Sequence, residues 1–281
     1  MIIDAHHHVW DLSVRDQDWI RGTRMAPIRR TFGLDDLREQ AAGAGLDGTV
    51  LVQTIPVPEE TPEFLALAHD DDLVAGVVGW TDLTAPGVED ELRRLRELPG
   101  GDRLVGIRHP VQAEADPRWL LRAEVLRGLT AVARAGLVYD ALVTADQLPM
   151  VIEAARAVPE LTFVLDHLGK PPIADGARQP WADRIRALAA LPNTVGKLSG
   201  VVTEADWADW TVADLRPFAD TALDAFGPHR LMFGSDWPVC LLAAPYPRVL
   251  GAARELTDGL TAGERAAVFG GTAVRVYGLR A

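Results

Sequence analysis

The richest chemistry in the shortest stretch lies at the start of the chain, in Ile2-Ile3-Asp4-Ala5-His6-His7-His8-Val9-Trp10. A short apolar run that leads into polar residues reads as a buried strand ending at a site, and alternate side chains on a strand share a face. His6 and His8 are therefore expected to point one way and His7 the other, which gives His7 a structural part. Two imidazoles one strand step apart, with an acid beside them at Asp4, can grip a metal ion or polarise a carbonyl group. Three histidines are short for an affinity tag, and Ile2 and Ile3 run straight into them as part of the fold.

Such a pair needs partners from elsewhere, and the rest of the chain is patterned to deliver them. Short β-branched runs at 48–54, 74–82, 104–110, 137–144, 161–168, 193–199 and 230–236 follow the opening strand. Amphipathic stretches rich in Ala, Leu, Arg and Glu alternate with them at 34–44, 62–70, 88–98, 123–135, 145–157, 181–191, 212–226 and 247–256. Eight β segments, each followed by a helix, predict parallel strands joined by right-handed crossovers, closed into a (β/α)8 TIM barrel that spans 1–281 as a single domain. An open doubly wound sheet is the rival, but no G-x-G-x-x-G fingerprint follows the first strand. The loop from Asp11 to Thr31 carries Trp19 and is placed to cover the mouth, and 260–281 reads as a closing helix and tail.

The balance of 28 Lys and Arg against 40 Asp and Glu gives a formal charge of −12, so nucleic acid and anionic membrane surfaces would meet repulsion. Neither is an expected partner. Hydrophobic residues make up 48% of the chain, enough for a sizeable core, yet no window approaches the roughly 18 uninterrupted apolar residues of a membrane span. Cys240 is the only cysteine, which excludes an internal disulfide framework and reads as a small packed residue. With no basic segment leading an apolar stretch at the N-terminus, the expected location is the cytoplasm.

Barrels of this kind do their chemistry at the C-terminal ends of the strands. There the sequence places His6 and His8 on strand one, Arg108 and His109 on strand four, Tyr139 and Asp140 on strand five, and Asp166-His167 on strand six ahead of Lys170. Lys197 and Ser199 end strand seven, and Ser235-Asp236-Trp237 ends strand eight. Each has a plain explanation when taken singly; strand alternation turns Asp166 away from His167 and makes it a structural acid. Four of the seven histidines in the same relative place is harder to explain that way.

Asp-Ala-His-His-His, Gly-Ile-Arg-His-Pro, Leu-Asp-His-Leu-Gly-Lys-Pro, Lys-Leu-Ser-Gly and Phe-Gly-Ser-Asp-Trp-Pro, in that order, resemble the amidohydrolase superfamily. Within it they are similar to the sugar-lactone hydrolases related to L-fuconolactonase and L-rhamnonolactonase. The resemblance covers nearly the whole chain and implies a (β/α)8 barrel that hydrolyses a lactone, its small-molecule partner, to a hydroxy acid. It matches the metal-binding pair to His6 and His8, the strand-six ligand to His167 and the strand-eight acid to Asp236. Strand five offers Tyr139 and Asp140 where a bridging lysine or glutamate would stand, so a two-metal centre is not expected.

Three imidazoles and a carboxylate suit one divalent, zinc-like ion, whose bound water would have a pKa of about 7; no organic cofactor is implied. Alternatively, the imidazoles polarise the lactone carbonyl directly. In both variants Asp236 is the expected general base, because an aspartate is ionised at neutral pH. Arg108 and His109 are expected to bind or polarise substrate oxygens, with Tyr139, Lys170 and Lys197 as hydroxyl or carboxylate contacts. Trp10, Trp19 and Trp237 are candidate apolar walls. A covalent serine route is disfavoured, since Ser13, Ser199 and Ser235 are the only serines and none stands in G-x-S-x-G. Two rivals remain: a metal-dependent decarboxylase of an aromatic or unsaturated acid on the same scaffold, and a non-catalytic barrel that binds a sugar acid. The motifs carry no information on oligomeric state.

Overall fold

In a computed structural model that describes residues 1–280, the eight β-rich runs form eight strands, hydrogen-bonded in the order of the chain. They are β1 (Ile3–His7), β2 (Gly48–Val52), β3 (Val74–Gly79), β4 (Leu104–His109), β5 (Val138–Ala141), β6 (Phe163–Leu165), β7 (Thr194–Leu198) and β8 (Leu231–Phe233). Every neighbouring pair is parallel. Helices α1 (Leu34–Gln40), α2 (Glu60–Asp70), α3 (Val88–Glu97), α4 (Ala123–Arg134), α5 (Leu148–Ala157), α6 (Trp181–Ala189), α7 (Val212–Phe226) and α8 (Tyr246–Leu256) each follow one strand. The barrel is closed beyond the strand ends, where Asp236 N donates to His6 O at 2.8 Å and His8 N to Trp237 O at 2.7 Å.

These strands read as β-branched runs because both of their faces are covered. One face fills the barrel with Ile3, Val50, Val78, Val138, Val164, Val195 and Met232. The other packs Leu51, Val77, Ile107, Tyr139, Phe163, Leu198 and Phe233 under the helices. Helix α3 shows how the outer layer is encoded: Val88, Leu92 and Leu95 share its buried face, Glu89, Asp90 and Glu91 sit in the first turn, and Arg94 and Arg96 in the last. That distribution gives an apolar stripe and charges that oppose the helix dipole.

The C-terminal segment forms α9 (Ala262–Ala266) and α10 (Thr272–Tyr277). Ala273, Tyr277 and Leu279 pack into the interior layer and close the end of the barrel where the strands begin. The 11–31 loop is pinned at its base by paired backbone bonds between Trp10 and Phe32 at 3.1 and 2.9 Å. From there it reaches across one side of the mouth, and the Arg24 guanidinium lies 4.3 Å above the Trp207 ring in the β7–α7 loop. No helix among the described residues is long and apolar enough to cross a membrane.

Candidate functional site

The interior face of the barrel changes from apolar to charged at the C-terminal ends of the strands. Alternation brings Arg108 of β4, Asp140 of β5, Asp166 after β6 and Lys197 of β7 to that level, all of them buried. The ammonium of Lys197 donates to Asp140 Oδ2 at 2.5 Å and to His6 Nδ1 at 3.0 Å, and it forms an ion pair with Asp166 Oδ1 at 3.0 Å. Arg108 donates from Nη1 to Asp166 Oδ2 at 3.1 Å and from Nε to Gln53 Oε1 at 2.7 Å, and its Nη2 donates to the Gln53 carbonyl. Tyr277 reaches up from the closing helix and donates to Asp140 Oδ2 at 2.9 Å. Two carboxylates and two cations thus neutralise one another in this layer.

Above them His6, His8 and His167 surround one oxygen of Asp236, with Nε2 atoms 3.7, 3.4 and 3.9 Å from Oδ1. His8 Nδ1 donates to the Val52 carbonyl at 2.7 Å, which leaves a lone pair on its Nε2. That lone pair faces His6 Nε2 at 3.2 Å as well as the carboxylate. With Nδ1 accepting from Lys197, a neutral His6 carries its proton on Nε2 and can donate it to the His8 lone pair; binding a metal ion through Nε2 would need the other tautomer, with Nδ1–H turned to Asp166 Oδ1 at 3.3 Å. Single ligand atoms from His6, His167 and Asp236 all lie within 4.8 Å of one another. His8 Nε2 lies outside that trio but adjoins two of its members, 3.2 Å from His6 Nε2 and 3.4 Å from Asp236 Oδ1. The donor set fits one ion, and Asp140 and Lys197, already engaged with each other, leave no bridge for a second.

Local backbone geometry is what makes these side chains converge. His167 and Leu168 both have φ 52°, Gly169 69° and Lys170 52°, and Asp236 has φ 58°. Left-handed conformations cost non-glycine residues about 1 to 2 kcal/mol each, and such residues gather at functional sites. Among the described residues, all four non-glycine residues with positive φ belong to this site or its rim. The turn at His167 overrides strand alternation, so Asp166 and His167 both face the interior. Two glycines allow the closest approaches. A Cβ on Gly200 would lie 2.6 Å from His167 Nδ1, and one on Gly234 would lie 2.7 Å from His6 Cβ.

The environment keeps the imidazoles neutral and Asp236 charged. Burial, together with the Lys197 ammonium, holds His6 well below the ordinary histidine range, and burial lowers His8 and takes His167 down to about 4. For Asp236 burial alone would push the carboxyl up, but His167, His8 and Lys170 outweigh it and hold it below its usual value. Asp166 is likewise held low against burial by Lys197 and Arg108, whereas burial lifts Asp140 to about 6.

Several expected contacts sit elsewhere. Asp166 is no isolated structural acid, since it binds Lys197 and Arg108 beneath the histidines. Lys197 is fully buried and engaged by His6, Asp140 and Asp166, so it braces His6 and cannot reach a substrate. Tyr139 lies on the helix-facing side of β5 against Phe163. Trp237 is buried under Phe32, and Trp19 stands edge-on to Trp10 with 37% of its surface exposed. Asp4 turns away from the histidines and accepts from Ser235 N at 2.8 Å, tying β1 to the end of β8. His7 donates from Nε2 to Thr49 Oγ1 at 2.9 Å on the same outward side. Gln53 and Glu204 belong to the site region and were not expected there.

His109 turns outward from β4. Its ring stacks on Trp119 at 4.0 Å, Nδ1 accepts from Trp80 Nε1 at 3.0 Å and Nε2 donates to Glu114 at 2.7 Å. Both nitrogens are thereby taken. His109→Ala is expected to destabilise the fold by about 1 to 3 kcal/mol through the lost stack and the stranded Trp80 donor. Urea titration checks this, and an unchanged midpoint would count against a bracing role.

A family profile described as Amidohydrolase matches residues 3–279. An L-fucono-1,5-lactonase of Burkholderia multivorans is 42% identical over 288 residues, covering 99% of this chain and 96% of the relative. A second L-fucono-1,5-lactonase, from Burkholderia ambifaria, is 38% identical over 279 residues, covering 98% and 94%. The crystal structure of an amidohydrolase from Burkholderia multivorans with bound zinc aligns over 100% of both chains at 42% identity, with a TM-score of 0.94.

Proposed function

Because the chain belongs to the amidohydrolase family, we propose that it hydrolyses the ester bond of a sugar lactone, an aldonolactone of the L-fuconolactone type, with water as nucleophile. The observation that carries this reading is the arrangement at the mouth: one ionised carboxylate oxygen on Asp236 ringed by the Nε2 atoms of three neutral imidazoles. Asp236 is the one carboxylate of the buried cluster left without a cation in hydrogen-bonding contact. It is therefore the group with a free capacity to take a proton.

In the proposed reaction Asp236 accepts a proton from the attacking water, and an imidazole N–H facing the lactone carbonyl stabilises the developing oxyanion. The tetrahedral species then collapses with cleavage of the ring C–O bond. Asp236 returns its proton to the leaving alkoxide, so the enzyme is restored and a hydroxy acid is released. His6, His8, His167 and Asp236 are the residues that would hold a metal ion, zinc by their chemistry, and when bound such an ion polarises the carbonyl and acidifies water. Arg108 and Lys197 act from below by fixing Asp166 and His6.

The test is a panel of aldonolactones followed with a pH indicator, before and after chelation. Proton release on an L-fuconolactone-like substrate is expected, with activity and bound zinc lost together on chelation and restored together by added zinc. Release of CO2 from an unsaturated or aromatic acid, without lactone hydrolysis, would replace this reading with a decarboxylase.

A further inference from the structure

Glu204 and Lys170 stand on the two loops that flank His167. The β7–α7 loop starts at Gly200, which passes against the His167 ring. It turns through Thr203, whose N–H and hydroxyl donate to the Gly200 carbonyl at 3.2 and 2.7 Å. The Glu204 carbonyl accepts from Ala174 N at 3.0 Å, which ties this loop to the β6–α6 loop that carries Lys170.

The Glu204 side chain is only 25% exposed, yet among the described residues no donor lies within hydrogen-bonding distance of its carboxylate. The nearest cation is Lys170 Nζ at 3.8 Å, and that ammonium has no other carboxylate partner. Glu60 offers a contrast: it is also withdrawn from solvent, but it accepts from Thr54 N at 2.8 Å and from the Thr54 hydroxyl. Burial raises the Glu204 carboxyl, Lys170 lowers it, and the Asp236 charge raises it further. A carboxylate that is a quarter exposed and has no protein donor keeps its oxygens open to whatever enters from solvent, and it is a ready acceptor for paired hydroxyls.

We propose that Glu204, held by Lys170, is a substrate-binding residue that accepts hydrogen bonds from ring hydroxyls of the lactone and so selects polyhydroxylated lactones over plain ones. The inference rests on the lactonase reading and names the group that recognises the sugar. Glu204 takes no part in the proton transfers, so its contribution depends on the hydroxyls and not on the ester.

Wild type and Glu204→Gln are to be compared on an aldonolactone and on δ-valerolactone, which has the ester but no hydroxyls. For the aldonolactone kcat/KM is expected to fall roughly 10- to 100-fold, mostly through KM, as for a lost charge-assisted hydrogen bond. For δ-valerolactone it is expected to stay within about threefold. An equal fall on both substrates, or none on either, overturns the proposal. Failure of the wild type to hydrolyse any lactone overturns the lactonase reading itself, and this inference with it. If Glu204→Gln folds poorly, Glu204→Asp keeps the charge but shortens the reach, and the same substrate-selective loss is expected from it.

Discussion

Asp236→Asn is expected to lower kcat for lactone hydrolysis by about three orders of magnitude while the protein stays folded. An amide cannot take a proton from water at neutral pH, and general-base catalysis is worth roughly 10²- to 10⁴-fold. That corresponds to about 3 to 5 kcal/mol of barrier. Folding should survive because asparagine is at home in the left-handed conformation that Asp236 adopts at φ 58°. The substitution also removes a buried charge that no cation contacts directly. The pH profile gives a second check. His167, His8 and Lys170 outweigh burial and keep Asp236 below the ordinary carboxylate value, so the base remains ionised as pH falls through the neutral and mildly acid range. Wild-type kcat/KM should therefore keep its plateau on the acid side down to about pH 4. A variant with kcat within tenfold of wild type would remove Asp236 from the proton transfers.

The barrel was legible because its signal is periodic and redundant: eight β-branched runs separated by helical stretches leave few alternatives. His6 and His8 were legible for the same reason, since a two-residue step on a strand sets both on one face. The step failed where the backbone leaves the strand. Alternation separates Asp166 from His167, but the left-handed turn at His167 and Leu168 folds both inward. Lys197 marks a second boundary. From sequence, a lysine at a strand end looks like a substrate contact, and only the approach of Asp140, Asp166 and His6 from other strands shows it to be enclosed and paired within the barrel. Tyr277 could not be placed at all, because its partner Asp140 is 137 residues away. Glu204 lay in a loop with no motif to single it out; the one available hint was an acid shortly after Lys-Leu-Ser-Gly.

Removing the Lys197 ammonium should have the largest effect on the fold itself. Lys197→Met is expected to destabilise the protein by about 3 to 5 kcal/mol, the usual consequence of stranding a buried charge whose partner has gone. At about 2 to 4 °C per kcal/mol for a chain of this size class, the unfolding midpoint should drop by roughly 10 °C. The reason lies in the charge balance beneath the histidines. With Lys197 removed, Arg108 remains to serve Asp166 at 3.1 Å, and Asp140 keeps only the Tyr277 hydroxyl at 2.9 Å. Burial already lifts Asp140 to about 6 against the pull of Lys197, so without that pull its carboxyl must rise further. A buried acid with a raised pKa binds its proton more tightly in the folded state, so the stability it leaves is lost as pH rises. The deficit of Lys197→Met should accordingly be smaller at pH 5 than at pH 8. Adding Asp140→Asn removes the stranded charge and should recover part of the loss, giving a coupling of about 0.5 to 3 kcal/mol between the two positions. Thermal unfolding of the single and double variants at the two pH values measures each term. A single variant within 2 °C of wild type at pH 8, or a double variant showing simple additivity, would mean that Lys197 and Asp140 do not depend on one another as their 2.5 Å contact requires.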